Sequence, residues 1–501
     1  MKSGLPSFFR YLSLLLGVTA LAMLVPLVLA LVFREERMIA AFAFPSGFVL
    51  CAALIAFLLI KKSETGIDAR NGLLLVCLTW FLSCLLGALP FYLSGAVNHL
   101  ADAFFETASG LTTTGASIFT DVESLPRSLL FWRAMTHWLG GMGIVVLTVA
   151  LAPLIGTGAY RLFCAETPGP DKGKITPKIT ATARILWLIY VALTFLETVL
   201  LILGGMNWFD AVTNAFSTMG TGGFSVKNSG IAAYHSPWAE WVIAIFMILA
   251  GFNFNLFYRL LQGKGREILK NSEVRAYAGI IIVSAALCAA VLFPGLRNEG
   301  RSLAGALEGS IRTGLFQCVS ILTTTGFSVA DHRQWPPLAQ AVLFFLMFIG
   351  GCSSSTSGGI KVIRHVILFK QARSELKKIL YPRGVFSIQI DGKEREKSVV
   401  YSVAGFIFLY LVLVMGATIV VSIEGVDFFS SFNIGLLLAG NIGLGIVQGT
   451  METILYNLPG YSKLALSFVM IAGRLELWTI FALLYWGGIN LIPHQSARRF
   501  K

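Results

Sequence analysis

Four short segments of this 501-residue chain repeat one glycine-centred pattern. They read DAFFETASGLTTTGAS around Gly115, DAVTNAFSTMGTGGFS around Gly223, GLFQCVSILTTTGFSVAD around Gly326 and DFFSSFNIGLLLAGNIGLG around Gly443. The glycines are 108, 103 and 117 residues apart, and each segment lies between two long apolar stretches. A single TTTG would be explained by a turn, or by small residues packed between helices. Three close copies and a weaker fourth at matched intervals instead indicate one structural element repeated four times.

The residue types in these segments suit coordination of a cation by backbone carbonyls. About ten helical residues extend about 15 Å, half the hydrocarbon core of a membrane, after which the chain must turn back. A short helix entering from one side points its negative C-terminal end at the membrane centre, which favours a cation. The following Thr-Gly stretch can present carbonyl oxygens to a dehydrated ion, and glycine lets four such stretches crowd round one axis. Asp102 and Asp210 stand thirteen residues before their glycines and are suited to capping the short helix.

No ring of acidic residues accompanies the four segments. Carboxylates are the ligands expected where divalent cations are selected. We therefore expect backbone carbonyls rather than carboxylates to select the ion.

The apolar composition predicts a membrane domain that positions these segments. The chain is 56% hydrophobic and 13% charged, whereas a soluble protein carries about twice that charged fraction. Ten apolar runs are long enough to cross the hydrocarbon core as helices, at 11–33, 39–60, 72–95, 129–155, 185–205, 237–258, 276–294, 337–360, 398–421 and 461–491. The four repeated segments fall in shorter runs, at 102–112, 209–220, 305–322 and 427–439. The sequence therefore predicts an all-α polytopic membrane protein with one large membrane domain.

Basic residues are concentrated in alternate loops. Of the 39 Lys and Arg residues, 28 lie in the loops at 2–10, 61–70, 161–184, 259–275 and 361–397 and in the tail at 498–501. The opposite set of loops is nearly neutral or acidic. By the positive-inside rule both termini are cytoplasmic and the four short segments are external. The net charge of +13 thus reflects topology and gives no reason to expect nucleic acid as a partner.

The N-terminal run and the cysteines suggest no processing or metal site. The run at 11–33 is longer than the apolar region of a signal peptide and lacks a convincing cleavage site, so we expect a retained span. The seven cysteines are scattered without metal-ligand spacing, and a disulfide framework is not expected.

Together these features resemble the Trk/Ktr/HKT superfamily of potassium transporters, and its bacterial TrkH/TrkG branch in particular. The similarity covers nearly the whole chain and includes FWRAMTHWLGGMGIVVL (131–147), GGCSSSTSGGIKVIR (350–364) and AGRLELWTIFALL (472–484). The resemblance implies four helix–pore-loop–helix repeats around a pseudo-fourfold pore, plus two extra N-terminal transmembrane helices. The expected domains are an N-terminal two-helix extension at 1–71 and repeats at 72–156, 181–262, 274–365 and 398–494.

The resemblance also implies that backbone carbonyls just before each glycine form a selectivity filter. The matching positions are Thr113, Thr114 and Gly115; Thr221, Gly222 and Gly223; Thr324, Thr325 and Gly326; and Asn441, Ile442 and Gly443. Superfamily members that pass sodium typically carry serine at the first glycine, so Gly115 favours potassium. The fourth segment, GNIGLG, departs from the Thr-rich pattern and lacks the proline usual in TrkH-like chains. For this segment, the resemblance therefore implies a role for the backbone carbonyls more than for the side chains.

A run of small polar residues interrupts the eighth predicted span, at 350–360. Glycine is a poor helix former, and serine and threonine compete for backbone hydrogen bonds. The run could be a packed Gly/Ser seam or simply the end of the span. The resemblance implies instead a broken helix that forms an intramembrane gate below the filter, with Gly350, Gly351, Ser353, Ser354, Ser355, Gly358 and Gly359 as its residues.

Arg474 and Glu476 lie inside the last predicted span, where an ionisable residue is costly and is a functional candidate by default. The resemblance places Arg474 near the pore, beside the gate, where its charge would oppose cations and help to hold the gate shut. The structural alternative is an ion pair of Arg474 with Glu476 or Glu452. Glu197 and His137, in two other spans, are expected to be packing or capping groups rather than ion ligands.

The sequence contains no recognisable nucleotide-binding motif. GPDKGKIT and LLQGKGRE lack the spacing of a Walker A motif, and GLGIVQG lacks that of GxGxxG. The missing motifs predict that this chain binds no nucleotide, and the resemblance implies potassium as the transported ion. The resemblance implies a separate TrkA-like cytoplasmic nucleotide-binding subunit, for which the loop at 361–397 is a candidate contact. It also implies a homodimer surrounded by lipid in the bacterial inner membrane.

Three functional hypotheses follow. The first is potassium uptake through the filter, by a channel-like mechanism or by symport with another ion. The second is transport of sodium or another monovalent cation on the same scaffold. The third, a membrane-embedded enzyme acting on lipid-linked substrates, would need acidic or histidine residues clustered near one membrane face, and the sequence shows no such cluster.

Overall fold

The computed structural model describes residues 5–60, 69–155, 179–384, 386–395 and 397–491. The basic residues predicted for loops at 61–62, 161–178 and 498–501, together with Lys2 and Cys164, lie outside the described residues. The described part is predominantly helical. Its α-helices are α1 (Leu5–Ala22), α2 (Leu24–Val32), α3 (Glu36–Leu59), α4 (Ala69–Leu93), α5 (Leu100–Leu111), α6 (Arg127–Ile155), α7 (Ile179–Leu203), α8 (Trp208–Gly220), α9 (Pro237–Ala250), α10 (Phe254–Leu261), α11 (Gly265–Lys270), α12 (Ser272–Asn298), α13 (Leu303–Leu322), α14 (Pro337–Leu346), α15 (Val362–Leu380), α16 (Lys397–Ile423), α17 (Phe428–Gly440), α18 (Met451–Asn457), α19 (Gly460–Arg474) and α20 (Leu477–Leu491).

The apolar helices confirm a polytopic membrane architecture. Within the described residues, six stretches are long and apolar enough to cross a membrane, or up to eight if each of two bent helix pairs forms one span. Of the other two predicted spans, 129–155 coincides with α6, whereas 337–360 is helical only as far as Leu346. Beyond Leu346 the backbone is irregular up to Lys361, where the small residues were expected to disfavour a helix.

Two spans predicted as continuous helices are sharply bent, so the sequence prediction is wrong there. The pair α9 and α10 turns by 93° at 251–253, and α19 and α20 turn by 115° at 475–476. At the first bend Asn253 accepts a hydrogen bond from the amide of Asn255 and thereby starts a new helix. At the second, Glu476 adopts a left-handed φ of 55°, which an α-helix cannot contain.

The four repeated segments form the short, largely buried helices α5, α8, α13 and α17, of 12, 13, 20 and 13 residues. Asn207, Ser302 and Asp427 cap the last three of them through their side chains. The capping predicted for Asp102 and Asp210 is wrong, because both helices begin earlier and each aspartate is the third helical residue. In the first turn an aspartate still stabilises the positive end of the helix.

The N-terminal helices α1 to α3 pack against α4 and α6, and Phe33 also contacts α8. Glu35, between α2 and α3, accepts hydrogen bonds from the amides of Arg127 (2.8 Å) and Ser128 (3.2 Å). These are unpaired amides at the start of α6, so Glu35 caps that helix from a distant part of the chain. Phe33 adds an edge-on contact with Phe209 at 6.2 Å.

A small β-hairpin interrupts the helical fold between α15 and α16. Strand β1 (Ile388–Ile390) pairs with β2 (Lys393–Arg395) in antiparallel register, with Ile388 opposite Arg395. The hairpin covers a separate apolar cluster formed with the two flanking helices, made of Ile363, Ile367, Ile388, Ile390, Val400 and Val403. The sequence analysis did not predict these strands within the basic 361–397 loop.

Candidate ion-conducting site

The four short helices all end in the same backbone turn. The residue two positions before each glycine has a left-handed φ between 54° and 58°. The φ of Gly115, Gly223 and Gly326 lies between 80° and 85°, whereas Gly443 does not have a positive φ. We call these stretches glycine loops 1 to 4, at 113–115, 221–223, 324–326 and 441–443. A left-handed φ is rare for a β-branched residue, and three of the four first positions are threonine. The same costly conformation therefore recurs in all four segments.

Equivalent hydrogen bonds fix these turns. The amide after each left-handed residue donates back to a carbonyl in the last turn of its own helix, at 2.8 to 2.9 Å. The pairs are Thr114 to Ser109, Gly222 to Ser217, Thr325 to Ser320 and Ile442 to Leu437. This is the arrangement of a Schellman helix end, and it uses the amides of the loops rather than their carbonyls.

The carbonyls of the loops have no corresponding partners. Within the described residues, the structure records no hydrogen bond to the carbonyls of Thr113, Thr114, Thr221, Gly222, Thr324, Thr325, Asn441 and Ile442. All eight residues are buried. Buried carbonyls almost always find a partner. The eight oxygens are therefore available to coordinate a ligand that attracts negative dipoles.

The four glycines approach one another in a closed ring. A Cβ atom placed on Gly115 would lie 1.9 Å from the carbonyl oxygen of Gly222, and one on Gly223 would lie 2.1 Å from that of Thr325. A Cβ on Gly326 would lie 2.8 Å from the amide of Gly443, and one on Gly443 would lie 2.7 Å from the carbonyl oxygen of Thr114. Each loop thus contacts the next, and loop 4 returns to loop 1. Only glycine fits where the backbones are this close.

One cavity of about 570 Å³ opens from this ring. All four glycines line it, together with the chain segments that follow them. Its charged lining includes Arg133, Lys227, Asp331, Arg333 and Glu452. The hydrogen bonds from Arg333 lower the pKa of Asp331 to about 2, so this carboxylate stays ionised at neutral pH. Within the described residues, no cluster of three or more His, Cys, Asp or Glu residues is arranged to hold a metal ion.

Threonine and asparagine side chains form hydrogen bonds within and between the glycine loops. Thr112 and Thr114 share a hydroxyl contact of 2.7 Å, and Thr323 and Thr325 share one of 2.8 Å. In the divergent fourth loop, Asn441 instead donates to the Thr114 hydroxyl over 3.0 Å. The asparagine thus links loop 4 to loop 1, a contact that the sequence did not indicate.

The irregular stretch at 347–361, which we call the Gly/Ser loop, lies directly against the glycine loops. The amide of Gly358 donates to the hydroxyl of Thr324 over 2.7 Å. A Cβ on Gly358 would lie 2.4 Å from the carbonyl oxygen of Gly440, at the end of α17. A larger side chain at this position would therefore collide with the backbone of that helix.

Hydrogen bonds to α12, to the bend between α9 and α10 and within the loop itself hold the Gly/Ser loop. The carboxylate of Glu273, in the first turn of α12, accepts from the amide (2.6 Å) and the hydroxyl (2.7 Å) of Ser353. Lys361 donates to the carbonyl of Ser357. The amide of Cys352 donates to the carbonyl of Gly251 at the bend between α9 and α10 over 2.9 Å. Loop and bend therefore depend on each other.

Arg474 bridges two parts of the chain through carbonyls. Its side chain is buried and donates to the carbonyl of Thr356 (2.6 Å) and to that of Gly140 (2.9 Å). The ion pair considered between Arg474 and Glu476 is wrong, because Glu476 pairs with Arg364 at 2.5 Å. Within the described residues, no carboxylate lies within ion-pair distance of Arg474, Glu452 included.

Sequence reasoning missed two buried ion pairs around the short helices. Arg133 pairs with Glu106 at 2.8 Å, and Lys463 pairs with Asp102 at 2.6 Å. All four charges lie in or beside apolar segments, the same signal that singled out Arg474. Applying that signal throughout would have found them, although their pairing depends on the tertiary structure.

His137 and Glu197 occupy buried positions behind the loops. The Nδ1 atom of His137 lies 2.8 Å from the carbonyl of Gly110, and its ring centroid lies 4.1 Å from that of Phe224. A Cβ on Gly222 would lie 2.3 Å from the histidine ring, so the ring packs against loop 2. Glu197 is fully buried in α7, and within the described residues neither of its oxygens has a hydrogen-bond partner.

Fold and site together define a class of protein, a polytopic helical membrane protein in which four short helices converge on one ring of backbone. Residues 40–485 match the TrkH family model, described as a cation transport protein, and the chain belongs to this TrkH family. Membership places it among transporters and not among enzymes.

Similar proteins extend over nearly the full chain. The Trk system potassium uptake protein TrkH of Escherichia coli strain K12 is 36% identical over 484 residues, covering 95% of this chain and 98% of that protein. TrkG of the same strain is 34% identical, covering 94% and 95%. The crystal structure of the potassium transporter TrkH from Vibrio parahaemolyticus superposes with a TM-score of 0.83 at 32% identity, covering 97% of this chain and 99% of that one.

Proposed function

We propose that this protein takes up potassium across the bacterial inner membrane through the ring of glycine loops. The observation that carries the proposal is a set of eight loop carbonyls for which the described part of the chain supplies no hydrogen-bond donor, held around one axis by four close-packed glycines. Such oxygens can replace the water around a monovalent cation. The names of the relatives, which describe potassium uptake, support the same ion.

The chemistry of the ring favours potassium over other cations. It supplies neutral carbonyl dipoles and no carboxylate, and Gly115 adds no side chain at its position in the ring. The C-terminal ends of four short helices point at the same region and add negative potential. Side-chain hydroxyls at Thr114 and Thr325 are already engaged with neighbouring threonines, so the backbone is left as the ligand.

The Gly/Ser loop and Arg474 are proposed to form the gate. The loop contacts Thr324 and the end of α17, directly beside the ring. Arg474 brings a buried positive charge to the same loop through Thr356, and a fixed cation there opposes the passage of another. Opening would require the loop and the guanidinium to move together.

The basic segment at 361–397 is the proposed contact for a regulatory subunit. It carries ten Lys and Arg residues and folds as α15 followed by the β-hairpin. A TrkA-like cytoplasmic nucleotide-binding protein would dock there, and two copies of the present chain would form a homodimer. Both termini would then be cytoplasmic, as the charge distribution predicts.

The experiment is rescue of potassium-requiring cells at low potassium, combined with rubidium uptake. Gly115→Ser introduces a Cβ that would lie 1.9 Å from the carbonyl oxygen of Gly222, and Gly223→Asp adds a charge to the ring. We expect Gly115→Ser to lose discrimination against sodium and Gly223→Asp to abolish rescue. Gly425→Ser is the matched control, because Gly425 has a similar φ of 83° but no atom within 4 Å of the added Cβ. Parental transport and selectivity in both ring variants would disprove the assignment.

Sodium transport on the same scaffold is the remaining alternative. Competition of sodium and caesium against rubidium uptake distinguishes it, since a potassium pathway should be inhibited far more by potassium than by sodium. Unitary currents and reversal potentials from purified protein in bilayers would separate channel-like conduction from symport.

A further inference from the structure

The near-fourfold arrangement of the glycine loops does not extend to the segments that follow them. We call these outer segments 1 to 4, at 116–126, 224–236, 327–336 and 444–450. All four are described in the structure and border the cavity above the ring. Their hydrogen bonds to one another are unevenly distributed.

Outer segments 1 and 2 are extensively linked. The side chain of Asn228 donates to Asp121 over 2.9 Å and accepts from the amide of Val122 at 2.8 Å. Glu123 accepts from the amide of Asn228 and from the ammonium of Lys227, both at 3.2 Å. Asn228 therefore binds segment 1 through its backbone amide, its side-chain amide and its side-chain oxygen.

Arg133 adds a buried link to the same pair. Its guanidinium donates to Glu106 (2.8 Å) and to the hydroxyl of Ser117 in segment 1 (3.1 Å). It also donates to the carbonyl of Ser225 in segment 2 over 3.3 Å. Ser117 and Ser225 each stand two residues after their glycine, so one side chain ties equivalent positions of neighbouring segments.

Corresponding hydrogen bonds join outer segments 3 and 4. Nε2 of the buried His332 donates to the carbonyl of Gly445 over 3.1 Å. Gly445 again stands two residues after its glycine, as Ser225 does in segment 2. Arg333 donates to the carbonyl of Gly449 and adds a second connection.

No hydrogen bond joins outer segments 2 and 3, or 4 and 1, anywhere within the ranges that define these segments. At the seam between segments 2 and 3, a Cβ added at Gly230 would lie 3.3 Å from the carbonyl oxygen of Ser328. The mouth of the pathway is therefore connected as two pairs, 1 with 2 and 3 with 4.

We propose that the two pairs act as rigid halves of the outer mouth and that Arg133 and His332 are positioning residues that determine ion discrimination. This inference rests on the proposed function of the ring. Each residue holds the carbonyl two positions beyond a ring glycine, and so limits the movement of the carbonyls before it. A ring that is free to contract accommodates a smaller ion, so loosening either pair should admit sodium.

The test measures rubidium uptake and its inhibition by sodium in cells, with the amount of protein determined for each variant. His332→Ala removes the link in one pair and Asn228→Ala weakens the other without exposing a buried charge. His332→Gln is the conservative variant, because its amide nitrogen can replace the histidine Nε2 donor. Ser328→Ala is the matched control, since Ser328 borders the same cavity but donates within its own segment, to the carbonyl of Ala330 at 2.8 Å.

We expect sodium to compete about three- to tenfold better in His332→Ala and Asn228→Ala, the effect of one or two net hydrogen bonds. His332→Gln and Ser328→Ala should keep the parental ratio. An unchanged sodium-to-rubidium ratio in both alanine variants would overturn the proposal, even if total uptake fell. So would a loss of discrimination in His332→Gln as large as in His332→Ala. Failure of the parent protein to transport rubidium or potassium at all would count against the proposed function instead.

Discussion

Arg474 donates a hydrogen bond of 2.6 Å to the carbonyl of Thr356, although 118 residues separate the two in the chain. The same guanidinium reaches the carbonyl of Gly140 in α6. One side chain therefore connects the Gly/Ser loop, the bend at the end of α19 and the helix that follows loop 1. This relationship is the physical basis of the gate proposed above.

Arg474→Gln should raise cation flux. The substitution removes the buried charge and one or both hydrogen bonds that hold the loop, and bonds from charged donors contribute about 1.5–3 kcal/mol each. We expect rubidium uptake into proteoliposomes to rise about tenfold or more at equal protein. Arg373→Gln, on the exposed face of α15, should leave uptake unchanged. Uptake by Arg474→Gln at or below the parental level would contradict a gating role.

Loss of the Glu273 contact should loosen the Gly/Ser loop. In Glu273→Ala the amide of Ser353 loses its partner, and a buried unpaired amide costs about 1–3 kcal/mol. We expect a lower unfolding midpoint in detergent together with a higher basal rubidium flux. Ser355→Ala is the control within the loop, because Ser355 donates only to the nearby carbonyl of Cys352. A lower midpoint with unchanged flux would show that Glu273 stabilises the fold without restraining the pathway.

Removal of the remote cap of α6 should reduce stability without affecting ion choice. Glu35→Ala leaves the amides of Arg127 and Ser128 without their acceptor, at a cost of about 0.5–2 kcal/mol in the free energy of unfolding. Glu36→Ala, at the exposed first residue of α3, removes only a solvent-exposed first-turn charge and should lower the unfolding midpoint much less. Equal midpoints for the two variants would mean that the N-terminal helices do not stabilise α6.

The contribution of Asp331 to stability should depend on pH only in strong acid. Hydrogen bonds from Arg333 lower the pKa of Asp331 from 3.8 to about 2 in the folded state. Because the folded pKa is the lower one, the contribution is complete above about pH 4 and is lost as the pH falls towards 2. The difference in unfolding midpoint between the parent and Asp331→Asn should be constant from pH 5 to 8 and shrink below pH 4. A difference that already disappears near pH 6 would refute this.

Much of the site could be predicted because it depends on local chemistry. The repeated glycine segments, the short helices that precede them and the break at 350–360 all follow from residue types close together in the chain. The repeated sequence corresponds to a repeated backbone conformation, a left-handed φ at Thr113, Thr221, Thr324 and Asn441. Arg474 was predicted as a functional residue because a charged side chain within an apolar run is energetically costly.

The wrong sequence predictions have a common physical cause, which is that they depend on contacts between distant parts of the chain. The bends at 251–253 and 475–476 lie within runs whose average hydropathy favours an unbroken helix. They are stabilised by contacts from elsewhere, such as the hydrogen bond from Cys352 to the carbonyl of Gly251. The ion pair with Glu476 that was considered as an alternative for Arg474 was wrong for the same reason, since the actual partner of Glu476, Arg364, is 112 residues away in sequence.

The sequence by itself determined the class of protein, the four carbonyl-bearing turns and the sides of the membrane they are expected to face, because these depend on hydrophobicity, charge and short-range backbone preference. Only the tertiary structure decided which turn contacts which, that the outer segments are linked in pairs, and that Arg474 binds carbonyls rather than a carboxylate. Helix packing sets the distances between residues a hundred or more positions apart, and hydrogen bonds and ion pairs act over about 3 Å. No local pattern contains that information.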